Sequence, residues 1–197
     1  MGGPARIGRK ALRCTDNFLD APMKLVCTVV DGERSEERLI EWRTCEHFFQ
    51  ASKFDAELGG AATWSHCRGI QQTHSAIDAW SLGQSRSHPL RSDWEEIKAH
   101  AMYLAVHAKF DQYPSSAALL AHTTESIQAA PSTSNWQTLN SIVLERVRYE
   151  MQEKLDINQP PDESRQQAYF EWCKATDLPQ CAKPVMVYLA PSTSDNN

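Results

Sequence analysis

Along the chain, hydrophobic residues first follow an extended pattern and then a helical one. Residues 23–30 (MKLVCTVV) are apolar and β-branched, and Asp31 and Gly32 follow them as a turn signal. A second extended run covers 39–42 after the charged stretch GERSEER, so the pair predicts a β-hairpin with a solvated loop. Beyond Arg43 the spacing becomes helical. Thr44 is placed to cap a helix over 45–58 that Gly59 and Gly60 end, and a looser helical pattern covers 65–80. Ser92 and Glu95 form a capping box, after which Trp94, Ile97, Ala101, Leu104, Ala105 and Ala108 recur at helical spacing up to Phe110. Pro114 stops that helix and starts a shorter one. After the polar loop APSTSN, Leu139, Ile142, Val143, Val147 and Met151 mark a further amphipathic helix. Pro160 and Pro161 break the chain, with a last helix expected over 162–175 and a strand over 185–189.

The fold class these patterns predict is α+β: mainly α with a small β-hairpin or sheet, in a single compact domain. The expected division is a flexible basic arm over 1–16, a core domain over 17–155, a C-terminal helix and strand packed on it over 156–190, and a mobile tail over 191–197.

Composition narrows the class of function. The chain has 197 residues, 41% hydrophobic and 23% charged, which is ordinary globular composition. Its net charge of -5 argues against a general nucleic-acid or membrane binder, which carries a basic excess. No run approaches the roughly 18 apolar residues that span a bilayer. The basic segment MGGPARIGRKALRC lacks a signal-peptide core, and Arg6 stands where a myristoylation motif wants Ser or Thr. Arg6, Arg9, Lys10 and Arg13 read as a frayed, solvated terminus rather than a phosphate-binding arm. The six cysteines, at 14, 27, 45, 67, 173 and 181, form no CxxC pair. Reduced thiols in an intracellular, cytoplasmic protein are expected, with the nucleus as the alternative.

Candidate chemistry concentrates in TCEHFFQASKF, residues 44–54. On a helix, Glu46, Gln50 and Lys53 fall at i, i+4 and i+7 and share one face, flanked by Phe49 and Phe54. In a cleft, such a lysine is a nucleophile for Schiff-base chemistry and such a glutamate a proton carrier. The same three residue types also furnish ordinary solvated helix faces, and spacing does not choose between the two. None of the seven histidines sits in an HExxH frame, Glu46 and His47 are adjacent, and the pair His100 and His107 does not make a site. No metal and no cofactor are therefore expected.

The segment TCEHFFQASKF resembles the EHYFQ-x-x-KF signature of the NADAR, or YbiA-like, family. LGQSRSHPLRSDWEEIKAHAM is similar to that family's small-Gly-Arg-x-R-x-x-PLR-x-x-WE block, and HAKFDQYP to its KF-x-Q-x-P. The order agrees over about 17–150. The resemblance implies an N-glycosidase acting on ribose-derived adducts, either ADP-ribose on guanine bases or phosphoribosylated intermediates of riboflavin synthesis. It implies Glu46 and Lys53 as the chemical pair, with Gln50 and Phe49 beside them. Arg86 and Trp94 become wall or phosphate contacts, and Asn17 and Phe18 match the SNF element that begins the domain. The implied partners are ADP-ribose or ADP-ribosylated guanosine, free or within DNA or RNA, with no membrane and no obligate protein partner.

The chain also departs from that pattern. Gln84 replaces the arginine after Gly83, and the Gly-rich WG-x-G-x-x-x-x-N-x-LG stretch reads NWQTLNSIVL, keeping only Trp136 and Asn140 as candidate substrate contacts. The acidic residue usual before that tryptophan gives way to STSN. These losses leave a non-catalytic ADP-ribose-binding domain as a third reading.

Overall fold

A computed structural model describes residues 2–31, 34–133 and 135–157. The helix and strand expected over 162–175 and 185–189, and the tail after them, lie outside the described residues. Among those described are six helices: α1 Cys45–Ala51, α2 Ala56–Gln72, α3 Ala76–Leu82, α4 Trp94–Gln112, α5 Pro114–Ala121 and α6 Trp136–Lys154. The strands are β1 Ala5–Ile7, β2 Lys10–Leu12, β3 Met23–Asp31, β4 Arg34–Trp42 and β5 Ile127–Gln128. They form two antiparallel sheets, one ordered β2-β1-β5 and the other the β3–β4 ribbon. The expected α+β class is what forms.

The ribbon is longer than its apolar residues suggest. Pairing runs from Met23↔Trp42 to Asp31↔Arg34, so Ser35, Glu36, Glu37 and Arg38 lie in β4 and not in a loop. They are exposed. The partner strand satisfies their backbone groups while water solvates the charges, so charge there does not oppose the strand. At the other end Met23 and Trp42 enter the core, with Trp42 edge-on to Phe48 at 5.4 Å.

The N-terminal segment is not a frayed arm. Ala5 and Ile7 are buried, Thr15 Oγ1 accepts the Ala5 amide at 2.6 Å, and β5 pairs with β1. The basic side chains of Arg6, Arg9, Lys10 and Arg13 remain exposed, while Ala5 and Ile7 on either side of Arg6 pack inward. That alternation is the period of a strand, obscured in the sequence by its shortness and by Gly8 at φ 58°.

Helix boundaries moved where side chains compete for backbone groups. α1 stops at Ala51 because Ser52 turns its hydroxyl back onto the Phe48 carbonyl at 2.7 Å, and Asp55 caps a new helix by accepting the Leu58 amide at 2.9 Å. α2 then kinks at Gly60, whose φ of 58° interrupts the helix without ending it. The capping box expected at Ser92 and Glu95 does not form. Asp93 precedes Trp94, the first residue of α4, and its carboxylate is held by Arg91 at 2.9 Å instead.

α4 is the central element. Ile97, Ala101, Ala105 and Phe110 are fully buried between α1, α5, α6 and β3. Cys14, Cys27, Cys45 and Cys67 are free and buried, and burial pushes the Cys27 thiol up to about 12. No helix among the described residues is long and apolar enough to cross a membrane. An Ile7→Ala variant should lose about 2 kcal/mol or more, since Ile7 is 5% exposed. Urea denaturation checks this, and an unchanged midpoint would mean the segment is frayed after all.

Candidate active site

All seven residues of α1 are buried, including Glu46, His47 and Gln50. A solvated polar face is therefore ruled out for this helix. His47 is accounted for structurally: one ring nitrogen lies 2.8 Å from Thr44 Oγ1 and the other 2.9 Å from Thr73 Oγ1. Glu46 and Gln50 instead line an open cleft that they share with Asn17, Phe18, Phe49 and Lys53. Gln50 Nε2 donates to Glu46 Oε1 across one helical turn.

Lys53 reaches the same cleft by another route than expected. It lies past the end of α1, where the turn that ends the helix aims its chain alongside Phe49. Its Nζ sits 5.6 Å from the Phe49 ring centre and donates to the Gly83 carbonyl at 3.4 Å. The main chain around it is pinned on both sides: the Arg91 amide donates to the Lys53 carbonyl at 2.9 Å, and Phe54 bridges Leu90.

Burial moves the two ionisable groups toward their neutral forms. Desolvation raises the Glu46 carboxyl, opposed by the Gln50 hydrogen bond and the Lys53 charge. Desolvation lowers the Lys53 ammonium to about 8, opposed by Glu46 and assisted by the nearby charge of Arg86. Within one cleft, burial thus shifts the carboxyl up and the amine down, each toward its uncharged form.

The walls follow from packing. Phe49 is held between Trp94, at 5.1 Å, and Trp136, edge-on at 4.9 Å. Asn17, Phe18, Trp136 and Asn140 all line the cleft, with Asn17 Nδ2 3.5 Å from Asn140 Oδ1. Asn17 also places the catalytic candidate directly, because its carbonyl accepts the Glu46 amide at 3.2 Å. Behind it, Lys109 is 2% exposed and donates to the Asp16 carbonyl at 3.0 Å. Lys109 is the lysine of the HAKF motif and anchors the segment that carries Asn17 and Phe18.

Two of the expected contacts are elsewhere. Trp94 is 8% exposed and supports Phe49 from the core, without lining the cleft. Arg86 is exposed and folds onto its own loop, donating to the Gln84 and Ser85 carbonyls at 3.0 and 3.2 Å. Its influence on Lys53 is through charge. Sequence reasoning missed Gly2, Trp80, Gln84, Met102, Ser132 and Thr133 as lining residues. Met102 lies on the buried face of α4, a visible signal; the others depend on how distant segments meet.

Gly83 shows why a glycine is needed at the end of α3. A Cβ there would lie 1.9 Å from Gln50 Oε1, so the constraint is close approach, not backbone conformation. The same Oε1 is buried with no hydrogen-bond partner among the described residues. Nor do three or more His, Cys, Asp or Glu side chains among them cluster so as to hold a metal ion.

The fold and cleft together define the class: the chain belongs to the NADAR domain family, whose model matches residues 13–151. It is similar to N-glycosidase YbiA of Escherichia coli (strain K12), with 36% identity over 107 residues, 54% of this chain and 55% of that protein. It is also similar to the chloroplastic riboflavin biosynthesis protein PYRR of Zea mays, 31% identical over 101 residues, 48% of this chain and 16% of that protein. The chain spans about half the length of the YbiA relatives it matches. The NMR structure of E. coli YbiA resembles it with a TM-score of 0.51 and 26% identity, over 75% of this chain and 82% of that one.

Lys53 should titrate near its depressed value of about 8, with reductive methylation followed by mass spectrometry as the readout. The Glu46 charge raises the Lys53 pKa, so Glu46→Gln should lower it further. A Lys53 reactivity profile like that of a solvated lysine, near 10.4, would remove the premise.

Proposed function

We propose that this chain is an N-glycosidase that releases ADP-ribose from ADP-ribosylated guanine, free or within nucleic acid, through a Schiff base on Lys53. The observation that carries this reading is the cleft that Glu46 and Lys53 share, in which burial raises the carboxyl and lowers the amine. The names of the YbiA relatives support the N-glycosidase class.

In an N-glycoside on an exocyclic amine, the ribose ring opens to an imine at C1. Neutral Lys53 Nζ adds to that carbon, forming a C–N bond. The base nitrogen takes one proton from Lys53 Nζ and a second from Glu46 and leaves as the free amine, and the protonated Lys53 Schiff base remains. Glu46, now ionised, takes a proton from water as it attacks C1. The carbinolamine collapses to release the sugar aldehyde, which recloses, and Lys53 returns to the amine. Asn17 and Asn140 supply amide groups for sugar hydroxyls. No cofactor enters any step.

A second reading has its own support in the similarity to riboflavin biosynthesis protein PYRR: cleavage of phosphoribosylated intermediates of that pathway. Assaying ADP-ribosylated guanosine and a phosphoribosyl pyrimidine side by side separates the two. Cleavage of the pyrimidine substrate alone would replace the first reading, and saturable ADP-ribose binding with no turnover of either would replace both with a binding domain.

Borohydride added during turnover should trap a covalent adduct on Lys53, seen by peptide mass spectrometry, and Lys53→Ala should abolish it with the activity. Glu46→Gln should reduce kcat about 10²- to 10⁴-fold, the usual contribution of a positioned proton donor. The rate should rise with pH toward about 8, as Lys53 loses its proton. Full activity in Lys53→Ala would rule out the covalent route.

A further inference from the structure

The aromatic residues that line the cleft are not equally available. Trp136 is committed to the protein: Phe49 meets it edge-on at 4.9 Å and Lys98 Nζ lies over its ring at 6.0 Å. Phe18 is covered by the N-terminal segment, since even a Cβ on Gly2 would come within 2.2 Å of its ring. Trp80 is different. It is 41% exposed although it lines the cleft, and among the described residues its indole meets no other ring, cation or hydrogen-bond partner.

Its main chain, by contrast, is held firmly. Gln84 Nε2 donates to the Trp80 carbonyl at 3.1 Å, and the Gly83 amide bonds back to Ala79 at 3.0 Å. Gly83, in the same turn, wedges against Gln50 and accepts from Lys53 Nζ. The last turn of α3 therefore carries both a free indole face and the anchor of the nucleophile. Among the described residues, charge in the lining is limited to Glu46 and Lys53; the remaining groups are aromatic, amide, hydroxyl, thioether and backbone. Such a wall recognises a flat, neutral group by stacking better than it recognises an anion.

We infer that Trp80 determines specificity: its indole is the platform on which the aromatic base of the substrate stacks while the sugar C1 faces Lys53. This rests on the N-glycosidase reading and deepens it to a preference for a purine leaving group. A bicyclic purine covers more of the indole than a single pyrimidine ring and gains more from stacking.

The test uses guanosine and cytidine as probes, titrated against the full chain and its Trp80→Phe and Trp80→Leu variants by saturation-transfer NMR, alongside steady-state assays. Guanosine should bind saturably and more tightly than cytidine. Trp80→Leu should weaken guanosine about tenfold, in line with stacking energies measured for single bases, and Trp80→Phe should retain most of the affinity. In turnover, Trp80→Leu should raise KM more than it lowers kcat. Guanosine binding that is absent, or that Trp80→Leu leaves unchanged, overturns the proposal. If no N-glycoside is cleaved yet the titration depends on Trp80, the platform stands and the glycosidase reading falls. If turnover is present and neither KM nor the titration responds, only the platform falls.

Discussion

Taking α1 out of water is the constraint on which the rest depends. The helix is short and buried on every side, so Glu46, His47 and Gln50 had to be given partners inside the protein or kept at a cavity wall. His47 is satisfied by two threonines. Glu46 and Gln50 satisfy each other in part, and the remaining Gln50 oxygen is pressed against Gly83 without a donor among the described residues. An unsatisfied buried acceptor costs about 1–3 kcal/mol, a cost the surrounding packing must offset. Polar groups held at such a cost are typical of a site organised for chemistry and not for stability.

The supporting parts come from far along the chain. Trp94 and Trp136 fix Phe49, whose ring covers Lys53. Lys109, itself buried, draws in the Asp16 carbonyl and so sets the segment whose Asn17 carbonyl receives the Glu46 amide. A cation on α4 thus positions the N-terminal end of α1 through the main chain of the segment that precedes β3. The same desolvation that made these contacts necessary shifts Glu46 and Lys53 in opposite senses, because burial penalises whichever form carries charge. Packing and reactivity have one cause here.

Much of the fold was legible locally. The apolar period of α4 and α6, the Thr44 cap and the presence of a hairpin follow from residues close in sequence, whose geometry the backbone imposes. What misled were short competitions: Ser52 and Asp55 ended and restarted a helix that periodicity carried through Lys53, and Asp93 displaced Ser92 at the start of α4. The first strands were hidden because three residues are too few to establish a period.

For the cleft the division is sharper. The sequence by itself determined which residues were candidates, since the order of EHFFQ, KF, PLR, WE and the second KF carries the family resemblance whatever the fold. It did not determine whether Glu46 and Lys53 face bulk water or line a common cleft. That was decided in three dimensions, where α3, α4 and the 16–18 segment close around α1 and remove its solvent. It also placed Trp80 at the cleft and left Arg86 on its loop and Trp94 in the core. Spacing along a helix tells which side chains share a direction; only packing tells what lies in that direction, and a charge's behaviour depends on the second.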